Sequence, residues 1–410
     1  MNPGSLLPAR RLKGRYLVPA LAVLIAFAAV AYRLLPEAVL PGPQSPESSR
    51  AGLDRHIDTP RLALLLPERE EFRANAAMFR MGAELAVRRL AAENVKVTLD
   101  PTDSEEQPLT AGERLSVATS NPDTALVIAP LPLSALSEIV TEAQKAHLLL
   151  VVPGNSHQKL VDRSAVLPLA ASDRTEGTLA ASVLSGWASG GEAVVIHDPG
   201  PYGEVLLAGF AEGAAKAGLK YRRERLGRED LEAGKPMRPG ITGDDTFAWL
   251  AGPPDWAAAM AEMLARNNAR GRFLFPSSCT EPFLDQFLLA VPQNFFFLKP
   301  AVSAVAAGDT KREFRDAFVR SYRREPNRDA RIGYDCVRWI GTALRDRPIT
   351  RRSVRQRLIR ATGPDNPYHG LSGTFYFDER GTTWNTLEPS NYVNGKFIFP
   401  GERETARDGP

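Results

Sequence analysis

HDPGPYGEVLLAGFAEGAAKAGLKY, His197 to Tyr221, follows the short apolar run Ala193-Val-Val-Ile196, and this pairing decides the fold. The run has the length of a buried strand, Pro and Gly punctuate the turn after it, and Gly203 to Ala217 continues as a helix. The same rhythm extends outward in both directions. Upstream, Arg61-Leu-Ala-Leu-Leu-Leu66 reads as a buried strand. The helix Arg73 to Glu93 follows, with Ala77, Met81, Leu85 and Leu90 near helical spacing. Strands at Val95 to Leu99 and Ala125 to Ile128, a helix over Leu133 to Lys145 and the strand Leu148 to Val152 complete this first run. The second run opens with a helix from Glu176 to Trp187. Beyond Tyr221 come strands at Phe247 to Leu250, Arg272 to Phe275 and Asn294 to Leu298, with a helix over Asp255 to Arg266. Alternating β and α elements predict parallel sheets with right-handed crossovers. Two such runs of roughly 110 to 130 residues imply two lobes. A helix over Arg331 to Arg345 comes late. The ending is β in character, with Gly373 to Phe377 and a hairpin about Asn394-Gly395.

Composition narrows the function. The 410 residues are 43% hydrophobic and 24% charged, which suits a folded protein of two lobes with some peripheral sequence. With 51 basic against 48 acidic residues, no field of one sign marks a nucleic-acid binder. Cys279 and Cys336 cannot build a disulfide framework or a four-thiolate zinc site, and are read as two separate thiols. The five histidines show no metal spacing, and His157 and His197 are read as loop residues at strand ends. Nucleophile elbow, phosphate loop and dinucleotide fingerprint are all missing, so no cofactor and no enzyme activity is expected. The arginine-rich stretch Arg351 to Arg360 carries Val354, Leu358 and Ile359 at the spacing of an amphipathic surface helix.

The N-terminus sets the compartment. Arg10, Arg11, Lys13 and Arg15 precede the uncharged run Tyr16 to Tyr32, which as a helix is roughly 25 Å long. Its basic flank stays in the cytoplasm, so everything after it is exported. Ala29-Val30-Ala31 forms a signal-peptide cleavage site in one reading; in the other the run stays as an uncleaved anchor. The Pro- and Ser-rich residues 36–59 are a linker, and 401–410 a disordered tail.

Four fragments resemble the type I periplasmic binding proteins of the leucine/isoleucine/valine-binding kind. His197 to Tyr221 looks like that family's Asp-x-x-x-Tyr-Gly turn and the helix after it. AFVRSYRREPNRDARIGYDCVRWIGTAL, Ala317 to Leu344, resembles its Phe-x-x-x-Tyr…Glu-Pro…Tyr-Asp-Ala-Val signature. GLSGTFYFDERG, Gly370 to Gly381, resembles its Gly-x-x-Gly-x-x-x-Phe-Asp-x-x-Gly element, and GAELAVRRLAAE, Gly82 to Glu93, its first long helix. The resemblance implies an α/β fold of two interleaved three-layer lobes with parallel sheets, hinged, after an N-terminal apolar helix. Lobe one is expected over 60–172 and 302–372, lobe two over 173–301 and 373–400.

The resemblance also implies a ligand cleft between the lobes. Ser156, next to Asn155, falls where the family hydrogen-bonds a ligand carboxylate. Tyr202 matches the aromatic that covers the ligand, Asp173 stands where an acid meets an ammonium, and Trp256 is placed as a second ligand-facing aromatic. The acid often found after the strand Arg272 to Phe275 is replaced by Ser277, with Glu281 a few residues on. Two loops depart from the family. Ala129-Pro-Leu-Pro-Leu-Ser134 contains Pro130 and Pro132, which have no N–H to donate to a carboxylate. Pro67-Glu-Arg-Glu-Glu-Phe72 is bulky and acidic where the family has small residues, so it is expected to reshape or fill the cleft. The expected protein is an exported binder of a small polar, amino-acid-like solute for ABC-type uptake, with an ABC permease as partner. The alternative is a membrane-tethered sensor or interaction module.

Overall fold

The computed structural model describes residues 53–101, 109–154, 160, 164–233, 241, 243–279, 292–300, 309–345, 349–393 and 396–399. The first sheet is built from β1 (Arg61–Leu64), β2 (Thr98–Pro101), β3 (Thr124–Ile128), β4 (Leu149–Val152) and β5 (Val166–Pro168). Its order is β2-β1-β3-β4-β5, all parallel. Helices α1 (Glu70–Ala92), α2 (Ala111–Ser120) and α3 (Leu133–Lys145) connect these strands. Alternation along the strands divides the core. Leu62 and Leu64 face α1, while Ala63 and Leu65 face α2 and α3. The strand expected at 95–99 begins only at Thr98, because its partner β1 begins at Arg61, which pairs with Thr98.

The second sheet follows. Helix α4 (Asp173–Ala188) leads into β6 (Glu192–His197), α5 (Pro201–Ala217), β7 (Lys220–Arg225) and the short α6 (Arg228–Glu232). Then come β8 (Phe247–Ala251), α7 (Pro254–Arg266), β9 (Arg272–Phe275) and β10 (Phe295–Pro300). The decisive segment forms as expected: Asp198 Oδ2 accepts from Gly200 N at 2.9 Å in the turn, and Gly218, at φ +64°, ends α5. Helices α4 and α5 pack tightly on one face. A Cβ on Gly177 or Gly209 collides with the opposite helix's backbone, so only glycine permits this crossing.

The chain then returns to the first lobe. Helix α8 (Asp309–Tyr322) and α9 (Arg328–Ala343) flank α1, and Gly82 and Gly333 allow α1 and α9 the same close crossing. Helix α10 (Arg351–Arg360) buries Val354 and Leu358, as its amphipathic spacing predicts. Its Arg351 caps the carbonyls of Asn121 and Thr124 at 2.7 and 2.9 Å, and Arg355 that of Val166 at 2.9 Å. These two cations therefore serve the fold. The strands β11 (Tyr368–His369), β12 (Thr374–Phe377) and β13 (Thr383–Asn385) form a small antiparallel sheet. Phe375 and Phe377 sit in the first-lobe core against Trp339, so the lobe boundary expected at 373 lies later in the chain. β14 (Leu387–Val393) and β15 (Lys396–Ile398) join the second sheet antiparallel, giving the order β15-β14-β10-β9-β8-β6-β7. The residues of the apolar run at 16–32 lie outside the described ones. Among the described residues, no helix is long and apolar enough to cross a membrane.

Candidate functional site

A cleft of about 490 Å3 lies between the lobes at the carboxyl ends of the parallel strands. Pro153 and Gly154 follow β4, Ser277 and Ser278 follow β9, Pro300 ends β10, and α9 supplies Ile332 and Asp335. The second-lobe wall is acidic. Ser172 caps α4, its Oγ accepting from Thr175 N at 3.1 Å, which places Asp173 in the first turn and Glu176 one turn on, both facing the cleft. Glu176 is buried, and Ser277 grips it twice: the backbone N–H donates to Oε1 at 2.6 Å and the hydroxyl to Oε2 at 2.7 Å. The buried Lys299 of β10 donates to the Ser277 carbonyl at 2.8 Å and to that of Cys279, holding the loop from behind. Tyr202, at the start of α5, donates to Ser278 Oγ at 3.3 Å.

Burial and mutual repulsion shape the protonation of this wall. Burial, then the neighbouring Glu176, pushes Asp173 up to about 7. Burial also raises Glu176, opposed by the Ser277 hydrogen bonds and by Lys299. Burial beside these carboxylates lifts the Tyr202 phenol well above its ordinary value, so it stays a neutral donor. On the facing wall Asp335 serves a different purpose. It accepts from Leu371 N at 2.9 Å and from Ser372 N at 2.6 Å, pinning the loop before β12; burial lifts it to about 6. Asn385 ties the lobes' connections together, accepting from Ala171 N and donating to Leu169 O at 3.4 Å.

A second cavity of about 310 Å3 continues the cleft into the first lobe and shares Pro153, Gly154, Arg328 and Ile332 with it. Its walls are mainly apolar: Pro67, Phe72, Phe79, Pro130, Leu131 and Pro132. The acidic loop 67–72 reshapes this end of the cleft rather than filling it: Pro67 and Phe72 wall the second cavity, and Glu68 pairs with the buried Arg114 at 2.6 Å. Arg114 also donates to Leu66 O at 2.7 Å.

Two sheets with interleaved lobes and a cleft at their carboxyl edges match a known architecture, and a sequence model described as periplasmic binding protein matches residues 59–388. The chain belongs to that family. Solved periplasmic binding proteins of type I share its fold at low identity. An ABC transporter substrate-binding protein from Desulfitobacterium hafniense in complex with Leu is 19% identical, with a TM-score of 0.61 over 84% of this chain and 100% of that one. The branched-chain amino acid transporter substrate-binding protein LivJ from Streptococcus pneumoniae, in complex with isoleucine, is 18% identical, TM-score 0.58, covering 83% and 97%. A solute-binding protein of an ABC transporter from R. palustris, in complex with benzoate, is 15% identical, TM-score 0.54, covering 83% and 95%. No curated protein sequence matches the chain.

In this periplasmic binding protein the cleft brings together three of the expected residues: Asp173, Tyr202 and Ser277. Trp256 is not among them. It lies in the second-lobe core, 2% exposed, with Nε1 donating to Leu226 O at 2.8 Å, because its position at the start of α7 turns the indole under Gly252. Asn155, Ser156, His157 and Glu281 lie outside the described residues. His197 is buried at the end of β6, its Nδ1 3.2 Å from Asp198 O, rather than in a solvated loop. Both cysteines are free thiols. The residue that sequence reasoning missed is Glu176, which supplies an acid at the Ser277 position from a different element. Its spacing from Asp173, one helical turn, was the available signal.

Proposed function

We propose that this periplasmic binding protein is exported, closes its lobes on a small polar solute bearing an amine, an amino acid or a related molecule, and hands it to an ABC permease. It performs no chemistry on the solute. The observation that carries the reading is Glu176, a carboxylate held by two Ser277 donors on the cleft wall beside Asp173 and Tyr202. A buried acidic wall is costly when empty and is relieved by a cation that pairs with it. Lobe closure then completes the desolvation and presents a surface that a membrane partner reads. The basic flank and apolar run at residues 10–32 support export. The domain ranges stand as part of the proposal apart from the boundary at 373, with residues 1–35 as leader or anchor and 36–59 as linker.

A thermal-shift screen of amino acids, amines and aromatic acids tests the reading. A solute at about 100 times its Kd stabilises the protein by ~2.7 kcal/mol. If no small molecule moves the melting temperature, transport is ruled out as the role. Mass spectrometry of the mature chain decides the N-terminus. A start near Tyr32 means a cleaved leader and a free binding protein, whereas a retained run at residues 16–32 favours the tethered sensor.

A further inference from the structure

We propose that the first lobe carries a second binding site, for a small aromatic carboxylate, in a cavity divided from the cleft by Asp335 and the loop it pins. The site is independent of whatever solute the cleft takes. The cavity is about 560 Å3, within the usual span of small-molecule pockets. It sits where α1, α8, α9 and β11 meet, so it lies wholly within the first lobe. Gly370 and Leu371 line it, whereas the next two residues, Ser372 and Gly373, line the cleft; Asp335 lines both. Asp335 makes the partition firm by accepting from Leu371 N at 2.9 Å and Ser372 N at 2.6 Å.

The walls combine cations with aromatic faces. Arg88 and Arg89 come from α1 and Arg338 from α9. Glu93, just past the end of α1, accepts from Arg338 at 2.8 Å and from Arg89 at 3.2 Å, with Arg345 at 3.6 Å. One carboxylate therefore answers three guanidiniums, and it holds Arg89 and Arg338 side by side. Arg88 donates to the Tyr322 hydroxyl at 2.8 Å and lies over that ring, 5.3 Å from its centroid. A guanidinium has five N–H donors, so a bond to Glu93 or Tyr322 leaves each of these arginines donors to fork onto a carboxylate. Of the acids lining the cavity, Glu313 is exposed at the rim, and Asp335 is turned to its own loop. The aromatic wall is Phe314, Tyr334 and Tyr368. Phe314 is buried with its ring 4.8 Å from that of Tyr334, and Tyr368 packs on Phe375 at 5.2 Å. Burial raises the Tyr334 phenol while Arg338 and Arg89 oppose the rise, which puts both cations within electrostatic reach of that ring. A ligand ring laid on these faces buries apolar area while its carboxylate pairs with the arginines, so both halves find partners.

Calorimetric titration of the purified chain at pH 7.5 with 2-naphthoate, benzoate, benzyl alcohol, acetate and inorganic phosphate tests the site. 2-Naphthoate is expected to bind about fivefold tighter than benzoate, from the area its second ring buries. The neutral alcohol and the two anions without a ring are expected to bind more weakly than benzoate. Arg338→Gln is expected to weaken 2-naphthoate about 10- to 100-fold by removing charge-assisted hydrogen bonds. Arg88→Gln, at an exposed position that the fold tolerates, is expected to weaken it about two- to fivefold. Glu176→Gln, on the cleft side of Asp335, is expected to leave 2-naphthoate affinity unchanged. Failure of 2-naphthoate to bind at millimolar concentration, or an affinity that both arginine substitutions leave unchanged, overturns the inference. Phosphate or acetate binding as tightly as 2-naphthoate also overturns it, reducing the cavity to a general anion patch. These failures leave the amine-binding cleft standing. An affinity for 2-naphthoate that Glu176→Gln alters puts the acid in the cleft instead, and overturns the second site and the amine reading together.

Discussion

Ser277 donates both its backbone N–H and its hydroxyl to the carboxylate of Glu176, at 2.6 and 2.7 Å, across 101 positions of sequence. The pair joins the first turns of α4 to the loop after β9 and turns a buried acid into part of the cleft wall. It also accounts for a sequence without an acid at position 277 having an acidic site there.

Glu176→Gln keeps the side chain's size and one carbonyl acceptor while removing the charge. Amine affinity is expected to fall about 10- to 100-fold with the loss of charge-assisted hydrogen bonds. The empty protein is expected to melt no lower than wild type, because a desolvated charge has gone. Calorimetric titration and thermal unfolding of the same samples check the two effects separately.

Asp173 gives a pH signature. Its carboxyl titrates near 7 in the folded chain against an ordinary value of 3.8. Between those values the folded state holds a proton that the unfolded state releases. The stabilising contribution is therefore complete below about pH 4 and lost as pH rises through 7. Asp173→Asn removes this dependence. The variant is expected to match wild type near pH 4 and to melt a few degrees higher at pH 8, read by thermal unfolding across that range.

Tyr202 and Trp256 separate binding from folding. Tyr202→Phe removes the hydroxyl that bonds Ser278 at 3.3 Å and faces the cleft. It is expected to weaken the amine about 3- to 10-fold with little change in melting temperature, the cost of one hydrogen bond. Trp256→Ala empties a buried core position and is expected to cost about 3–5 kcal/mol of stability. Its Kd for the amine stays unchanged at temperatures where the variant is folded.

Gly333 fixes the approach of α9, the helix that carries Ile332 and Asp335. A Cβ there meets the Phe79 backbone of α1. Gly333→Ala is expected to destabilise by about 1–3 kcal/mol through overpacking, measured by urea unfolding.

The fold was readable because its strands are buried apolar runs and its helices are amphipathic: the strand Arg272 to Phe275 and the helix Leu133 to Lys145 form with the bounds that spacing predicts. β7 was not, since Lys-Tyr-Arg-Arg-Glu-Arg at 220–225 is a charged edge strand whose pairing with β6 supplies what its own sequence lacks. β12 was legible as a strand and misplaced between lobes, because nothing in Thr-Phe-Tyr-Phe says that Phe375 and Phe377 pack against Trp339. In the site, Tyr202 and Asp173 were reached through a turn and a helix start that local sequence defines. Glu176 was missed because its partner comes from the other end of the lobe. Trp256 was misassigned because an aromatic after a strand end serves a core as readily as a cleft, and only the burial of its ring decides.

The central claim is that a cation binds against the Asp173–Glu176 pair, and counting protons on binding tests it most directly. Phenethylamine is titrated at pH 7 in two buffers of different ionisation enthalpy, with wild type and Asp173→Asn. An ammonium brought to Asp173 favours its ionised form. Net proton release is therefore expected in wild type, falling towards zero in Asp173→Asn. Proton uptake, or a release that the substitution leaves unchanged, contradicts the account.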